Sequence, residues 1–173
     1  MIPNRVVMID HEGSALLGIV LGQKKERIVV ITERGRELEL QPSRIYPVMP
    51  QGGTISKETV KEKVSALTEL RALAEAEAKS LSGETLWELV REDYAEITLS
   101  ALTELFYKNP TIVQYTALRL LLLSDRVFFK RNKDIFNTSG AFLGYSKPKT
   151  FDAIVAKREA LAGCVFLVLG FAM

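Results

Sequence analysis

The sequence predicts an α+β chain built of small modules in series, and three observations carry that prediction. Five short apolar-rich strands, separated by charged or glycine-containing turns, lie before residue 50. A long amphipathic helix follows a Pro/Gly stretch. From Thr98 to Asn137, two short apolar-faced helices lead into a basic hairpin. Strands at this spacing, with one helical turn before the last, give a small SH3-like β-barrel over 1–50. The linker and long helix occupy 51–83. Helix, turn, helix and hairpin give a winged helix-turn-helix module over 84–138, and 139–173 is a helical tail. Such modules bind DNA, RNA or other proteins, so the fold alone does not name a function.

The strands are predicted at Arg5–Asp10, Ala15–Gln23, Arg27–Thr32, Arg36–Leu40 and Ile45–Val48. His11–Ser14, Lys24–Glu26 and Glu33–Gly35 turn between them, and Gln41–Arg44 suits one helical turn. Glu37 and Glu39 alternate with Leu38 and Leu40, the period of a half-buried strand. Gly18 and Gly22 interrupt the second strand and mark a bulge or bend that lets a small sheet curl.

Met49–Ile55 reads as a Pro/Gly linker. Ser56 is placed to cap a helix from Lys57 to about Lys79, with Val60, Val64, Leu67, Leu70, Ala74, Ala78 and Leu81 as its apolar stripe. At ~1.5 Å per residue such a helix spans roughly 35 Å, enough to bridge two modules. Ser82-Gly83 punctuates, and Glu84–Tyr94 is a further helix with Leu86, Trp87, Leu89 and Val90 inward.

Thr98 caps a helix carrying Leu99, Leu102, Leu105 and Phe106 at helical spacing. Asn109-Pro110 reads as an N-cap followed by proline in the first turn of a helix Pro110–Leu123, where proline's missing N–H costs nothing. Ser124-Asp125 ends it. Val127–Phe129 and Ile135-Phe136 are the hairpin strands, with Arg131–Asp134 as turn residues. Beyond a loop, Ser146–Ala162 looks helical from about Pro148. Gly163–Met173 then loses all charge and period; it reads either as a buried strand or as a truncated or frame-shifted end.

Charge is distributed unevenly along the 173 residues, although the net value is only +2. Residues 57–107 carry 6 basic and 11 acidic side chains, a net −5. Residues 108–173 carry 10 and 4, a net +6, which falls on the proposed wing and beyond. A basic patch is the electrostatic footprint of nucleic-acid contact, and solvated surface cations are its bland equivalent. The single Cys164 excludes an internal disulfide and a cysteine metal cluster, and fits a reducing, cytoplasmic setting. No signal peptide opens the chain, and the longest apolar run, Cys164–Met173, has ten residues where a bilayer-spanning helix needs about 20. No membrane partner is expected.

Catalytic chemistry is hard to place. His11 is the only histidine and sits in a predicted turn, so no histidine pair is available to ligate a metal or relay a proton. Cys164 lies in the apolar tail with no base beside it. Asp10, Asp93, Asp125, Asp134 and Asp152 are scattered singly, whereas two-metal phosphoryl chemistry needs carboxylates converging on ions ~4 Å apart. There is no Walker A loop and no GxGxxG. No catalytic residue and no metal or other cofactor is assigned to the chain.

Recognition is easier to place. The wing carries Arg126, Lys130, Arg131 and Lys133 beside Phe128, Phe129 and Phe136, and Lys147 and Lys149 extend the patch. Cations interleaved with aromatics suit phosphates and unpaired bases; in the bland reading, Phe128 and Phe136 fill the module's core. The helix Pro110–Leu123 is poor for a DNA groove. Gln114 and Arg119 are its only side chains suited to base edges, and groove reading needs several polar side chains on one face.

The stretch LGIVLGQKKERIVVITERGRELELQPSRIYPV resembles the leader of a subset of bacterial and plastid ribonuclease II (RNB) family exoribonucleases. The segment LWELVREDYAEITLSALTELF, with ALRLLLLSDRVFFKRNKDIF after it, is similar to the winged-helix region that follows in them. Phe128-Phe129-Lys130-Arg131 and Phe136 match their wing pattern. The resemblance covers about residues 4–160. It implies processive 3′-to-5′ RNA hydrolysis with Mg²⁺, carried by an RNB domain whose aspartate-rich motif has no counterpart here, so the chain corresponds to the non-catalytic N-terminal portion. The partner so implied is RNA, single-stranded rather than duplex. Two alternatives stand beside it: a winged-helix DNA-binding regulator, and a protein-interaction adaptor using the apolar tail and the long helix.

Overall fold

A computed structural model describes residues 2–12, 14–125, 128–132 and 135–138, with backbone only for 130–132 and 135–138. The chain divides into two compact units, Met1–Ser80 with Thr111–Leu120 and Leu81–Pro110 with Leu121–Met173. Each is described by itself.

The first unit is built on an antiparallel sheet of β1 (Val6–His11), β2 (Ser14–Lys24), β3 (Arg27–Thr32), β4 (Glu37–Leu40) and β5 (Ile45–Pro47), in the order β4-β3-β2-β1-β5. A 3-10 turn, Pro42–Arg44, precedes β5. Val6, Val7, Met8 and Ile9 in β1 are all buried, because both faces of the strand are covered. One face contributes Val7, Ile9, Leu16, Val20, Ile28, Val30, Leu40 and Ile45 to a core drawn from all five strands and nothing else. A sheet that packs on itself in this way is a small barrel, the form the sequence predicts. The register of β2 on β3 shifts between Val20 and Gly22, the bulge anticipated there. Gly18 lies on the inner face, where an added Cβ would come within 2.8 Å of Ile9 Cδ1 and 3.3 Å of the Ile31 carbonyl.

The other face of the sheet, with Val6, Met8, Leu17, Ile19 and Ile31, packs against Leu67 and Leu70 of α1 (Val60–Lys79) and Tyr115 of α4 (Ile112–Ser124). The long helix is thus a cover for the barrel. It starts three residues later than expected, because Thr59, not Ser56, is its cap. Thr59 Oγ1 accepts from the Glu62 N–H at 3.2 Å while the Thr59 N–H donates to Glu62 Oε2 at 3.0 Å. Ser56 has a threonine three positions on and cannot make that reciprocal pair. Val60, placed on the apolar stripe by its spacing, is 53% exposed. Residues 49–55 are bonded to the barrel: Arg5 Nη2 donates to the Met49 and Pro50 carbonyls, both at 2.8 Å. The Val6 N–H reaches the Gly53 carbonyl at 2.7 Å, with Gly53 at a φ of +66° that glycine adopts without strain.

In the second unit, α2 (Gly83–Val90) is capped by Ser82 and ends four residues before the predicted Tyr94. Next come β6 (Glu96–Thr98) and α3 (Leu99–Phe106), the latter capped by Thr98, whose Oγ1 accepts from the Ala101 N–H at 3.2 Å. The wing is β7 (Phe129–Asn132) and β8 (Ile135–Thr138), and β6 adds itself to β8 to make a three-stranded sheet in the order β6-β8-β7. Strand β6 has no counterpart in the sequence reading. At three residues it is too short to show a period, and its pairing with Ile135–Asn137 makes it a strand. No described helix is long and apolar enough to cross a membrane.

Candidate nucleic-acid interface

Asp125 begins the wing. Its carboxylate accepts from the Phe128 N–H at 3.3 Å and the Phe129 N–H at 3.1 Å, so the residue that stops α4 also orients the chain entering β7. Gly83 makes room beside it, since a Cβ there would meet Asp125 Oδ2 at 3.3 Å. Phe129, 3% exposed, fills the core of this unit, and Phe128 is half-buried against Trp87 with ring centres 5.9 Å apart. The core assignment made for Phe128 therefore belongs more fully to its neighbour Phe129. On the other side, the Arg91 guanidinium stands 4.7 Å from the Trp87 ring centre.

The hairpin register puts Lys130 opposite Asn137 and Arg131 opposite Phe136. Two of the six cations assigned to the interface, Lys130 and Arg131, thus sit on adjacent backbone positions of β7. Arg126, Lys133, Lys147 and Lys149 lie outside the described residues, as do the predicted helix of 148–162 and the apolar end 163–173. Asp125 and Trp87 are the wing residues that sequence reasoning did not assign a part in the site. Asp125 was legible only as a helix breaker, because its hydrogen bonds depend on where the chain turns.

Helix α4 begins at Ile112, two residues after the predicted Pro110. The Thr111 N–H donates to Gln114 Oε1 at 2.8 Å, and the Thr111 carbonyl takes the first helical bond from Tyr115 at 3.0 Å. Both side chains suited to base edges are therefore engaged within the first unit. Gln114 holds the helix start, and Arg119, 1% exposed, lies over the Tyr46 ring with 5.7 Å to its centre. Ile112, Val113 and Leu120 pack against the barrel cluster along with the buried Tyr115. A helix so occupied presents no reading face to a major groove. Among the described residues, no three His, Cys, Asp or Glu side chains come together to hold a metal ion.

Helix, strand, helix, helix and a two-stranded wing, with the first strand paired to the last, define a winged-helix protein. Residues 69–138 match the family model of the ribonuclease II winged helix domain. The chain thus carries a winged helix of the ribonuclease II family, and its resemblance to the N-terminal region of those enzymes stands. Neither the curated proteins nor the solved structures returned a match.

Proposed function

We propose that the chain is an RNA-associated, non-catalytic accessory region of a ribonuclease II-type exoribonuclease, working in the cytoplasm. Its part is to hold single-stranded RNA, not to cut it. Lys130, Arg131 and Lys133 contact phosphates, and Arg126, Lys147 and Lys149 extend the patch. The observation that carries this reading is the family match over residues 69–138, which includes the whole wing hairpin. The net +6 over residues 108–173 supports it, as does the engagement of Gln114 and Arg119, which disfavours duplex reading. The Mg²⁺ that the resemblance implies belongs to an RNB domain and has no ligand set among the described residues.

Fluorescence anisotropy with labelled single-stranded RNA and with duplex DNA, across a salt series, tests the proposal. RNA is expected to bind more tightly, with log Kd rising steeply with log salt. Replacing Lys130→Glu and Arg131→Glu together is expected to weaken RNA binding by roughly tenfold and flatten the salt slope by about 1. No RNA binding at low salt, or equal binding to any duplex, removes the reading.

A further inference from the structure

The barrel has a polar rim that the wing does not explain. Two shallow hollows lie on it and share Arg44. One, of ≈ 250 Å³, is lined by Arg27, Glu39, Leu40, Gln41 and Arg44. The other, of ≈ 330 Å³, is lined by Asp10, Glu12, Ser43, Arg44 and Tyr46. Arg27 opens β3 directly after the Lys24–Glu26 turn, and Arg44 ends the 3-10 turn that Pro42 starts. Both side chains are exposed, and neither forms an ion pair with any described residue. The nearest carboxylate, Glu39, is held by Lys24 Nζ at 2.8 Å, which keeps its acid form below the usual range and offsets its charge. Two guanidinium groups thus converge on one hollow without an internal partner. The adjoining hollow has an aromatic ring, a hydroxyl and two carboxylates.

We propose that this rim holds one nucleotide of a single-stranded RNA, with its phosphate between Arg27 and Arg44 and its ribose and base at Tyr46. The inference rests on the RNA reading above and adds a second contact surface to it. Guanidinium forks match phosphate oxygens in geometry and charge. Carboxylates cannot face a phosphate, but they accept hydrogen bonds from a ribose 2′-hydroxyl or a base N–H, which sets the direction in which the nucleotide lies. Tyr46 offers ring surface on which a base can stack. An acidic peptide would suit the Arg27 end but would be repelled at Asp10 and Glu12, so a polynucleotide fits the whole rim better.

The test uses the full chain and a labelled oligouridylate, with anisotropy read across a salt series. Arg27→Ala with Arg44→Ala is compared with Arg34→Ala and Arg36→Ala, which remove the same charge from exposed positions elsewhere on the barrel. The first pair is expected to weaken binding about tenfold and lower the salt slope by roughly 1, since each phosphate contact on a single strand contributes about 0.7. The second pair is expected to stay within about twofold. Arg27→Lys with Arg44→Lys is expected to recover the salt slope but only part of the affinity, as a point charge replaces a fork. If both alanine pairs weaken binding equally, the rim is only part of a general field and the proposal is overturned. If the wing variants lose RNA while Arg27→Ala with Arg44→Ala keeps it, this site falls and the accessory-region reading survives. If the unmodified chain binds no RNA, both fall.

Discussion

The Arg119 guanidinium lies over the face of the Tyr46 ring, 5.7 Å from its centre, and is almost completely shielded from water. A cation in that position gains from the ring's negative face, and its long apolar stem fills space between helix and barrel. A residue that a sequence reader would offer to a base edge is therefore structural.

Arg119→Ala is accordingly expected to lower the stability of the first unit by about 2–3 kcal/mol, through lost stacking and the cavity left by the stem. Arg119→Lys should recover only part of this, because an ammonium cannot lie flat on a ring. Urea unfolding measures both. A midpoint unchanged in Arg119→Ala would mean that the stacking carries no weight.

Asp125 makes a second prediction. Asp125→Ala leaves the Phe128 and Phe129 N–H groups without their acceptor and is expected to cost about 1–2 kcal/mol. Amide hydrogen exchange at those two residues should speed up more than exchange in β1 or β2. Equal protection in variant and parent would show that the carboxylate does not hold the wing.

Gly18 and Gly22 sit in one strand but answer to different constraints. Gly18→Ala forces a Cβ to 2.8 Å from Ile9 Cδ1 within the closed core and is expected to destabilise by about 1–3 kcal/mol. Gly22→Ala meets nothing within 4 Å and is expected to stay within about 0.5 kcal/mol. Thermal unfolding of the two variants side by side checks the contrast, and equal shifts would contradict it.

Glu33 is half-buried beside Arg71, with 3.4 Å between Oε1 and Nη1. Burial pushes its carboxyl above the usual value of 4.5, and the Arg71 guanidinium opposes that rise without cancelling it. A folded-state value above the unfolded one contributes stability that is fully present below the unfolded value and is lost as pH rises through the folded one. Glu33→Gln has no such loss. Its stability relative to the parent should therefore increase from about pH 4 to pH 7, read by urea unfolding at both. A constant difference would show that the carboxyl is not shifted.

Much of the architecture was legible in local pattern. The Glu37–Leu40 alternation, the turns around it, the Gly22 bulge and the Thr98 cap all depend on neighbours within a few residues, and each stands where the sequence put it. The Phe128–Arg131 wing pattern was also legible, and the family match covers it. Helix starts were less so: Ser56 and Asn109 are acceptable caps, but Thr59 and Thr111 each find an acid or amide side chain three residues on.

Tertiary structure decided what those elements do. Glu96–Thr98 is a strand only because β8 offers it a partner, and β1 can be apolar at four consecutive positions only because both of its faces are covered. Arg119 and Gln114 look like recognition residues in one dimension and become packing and capping residues in three. Arg27 and Arg44, 17 positions apart, converge on one hollow because β3 and β4 pair and Pro42 turns the chain back. Sequence carries periodicity and capping, which are short-range and local. Burial, cross-strand pairing and the meeting of distant charges are set by which surfaces the closed barrel and the wing sheet bring together.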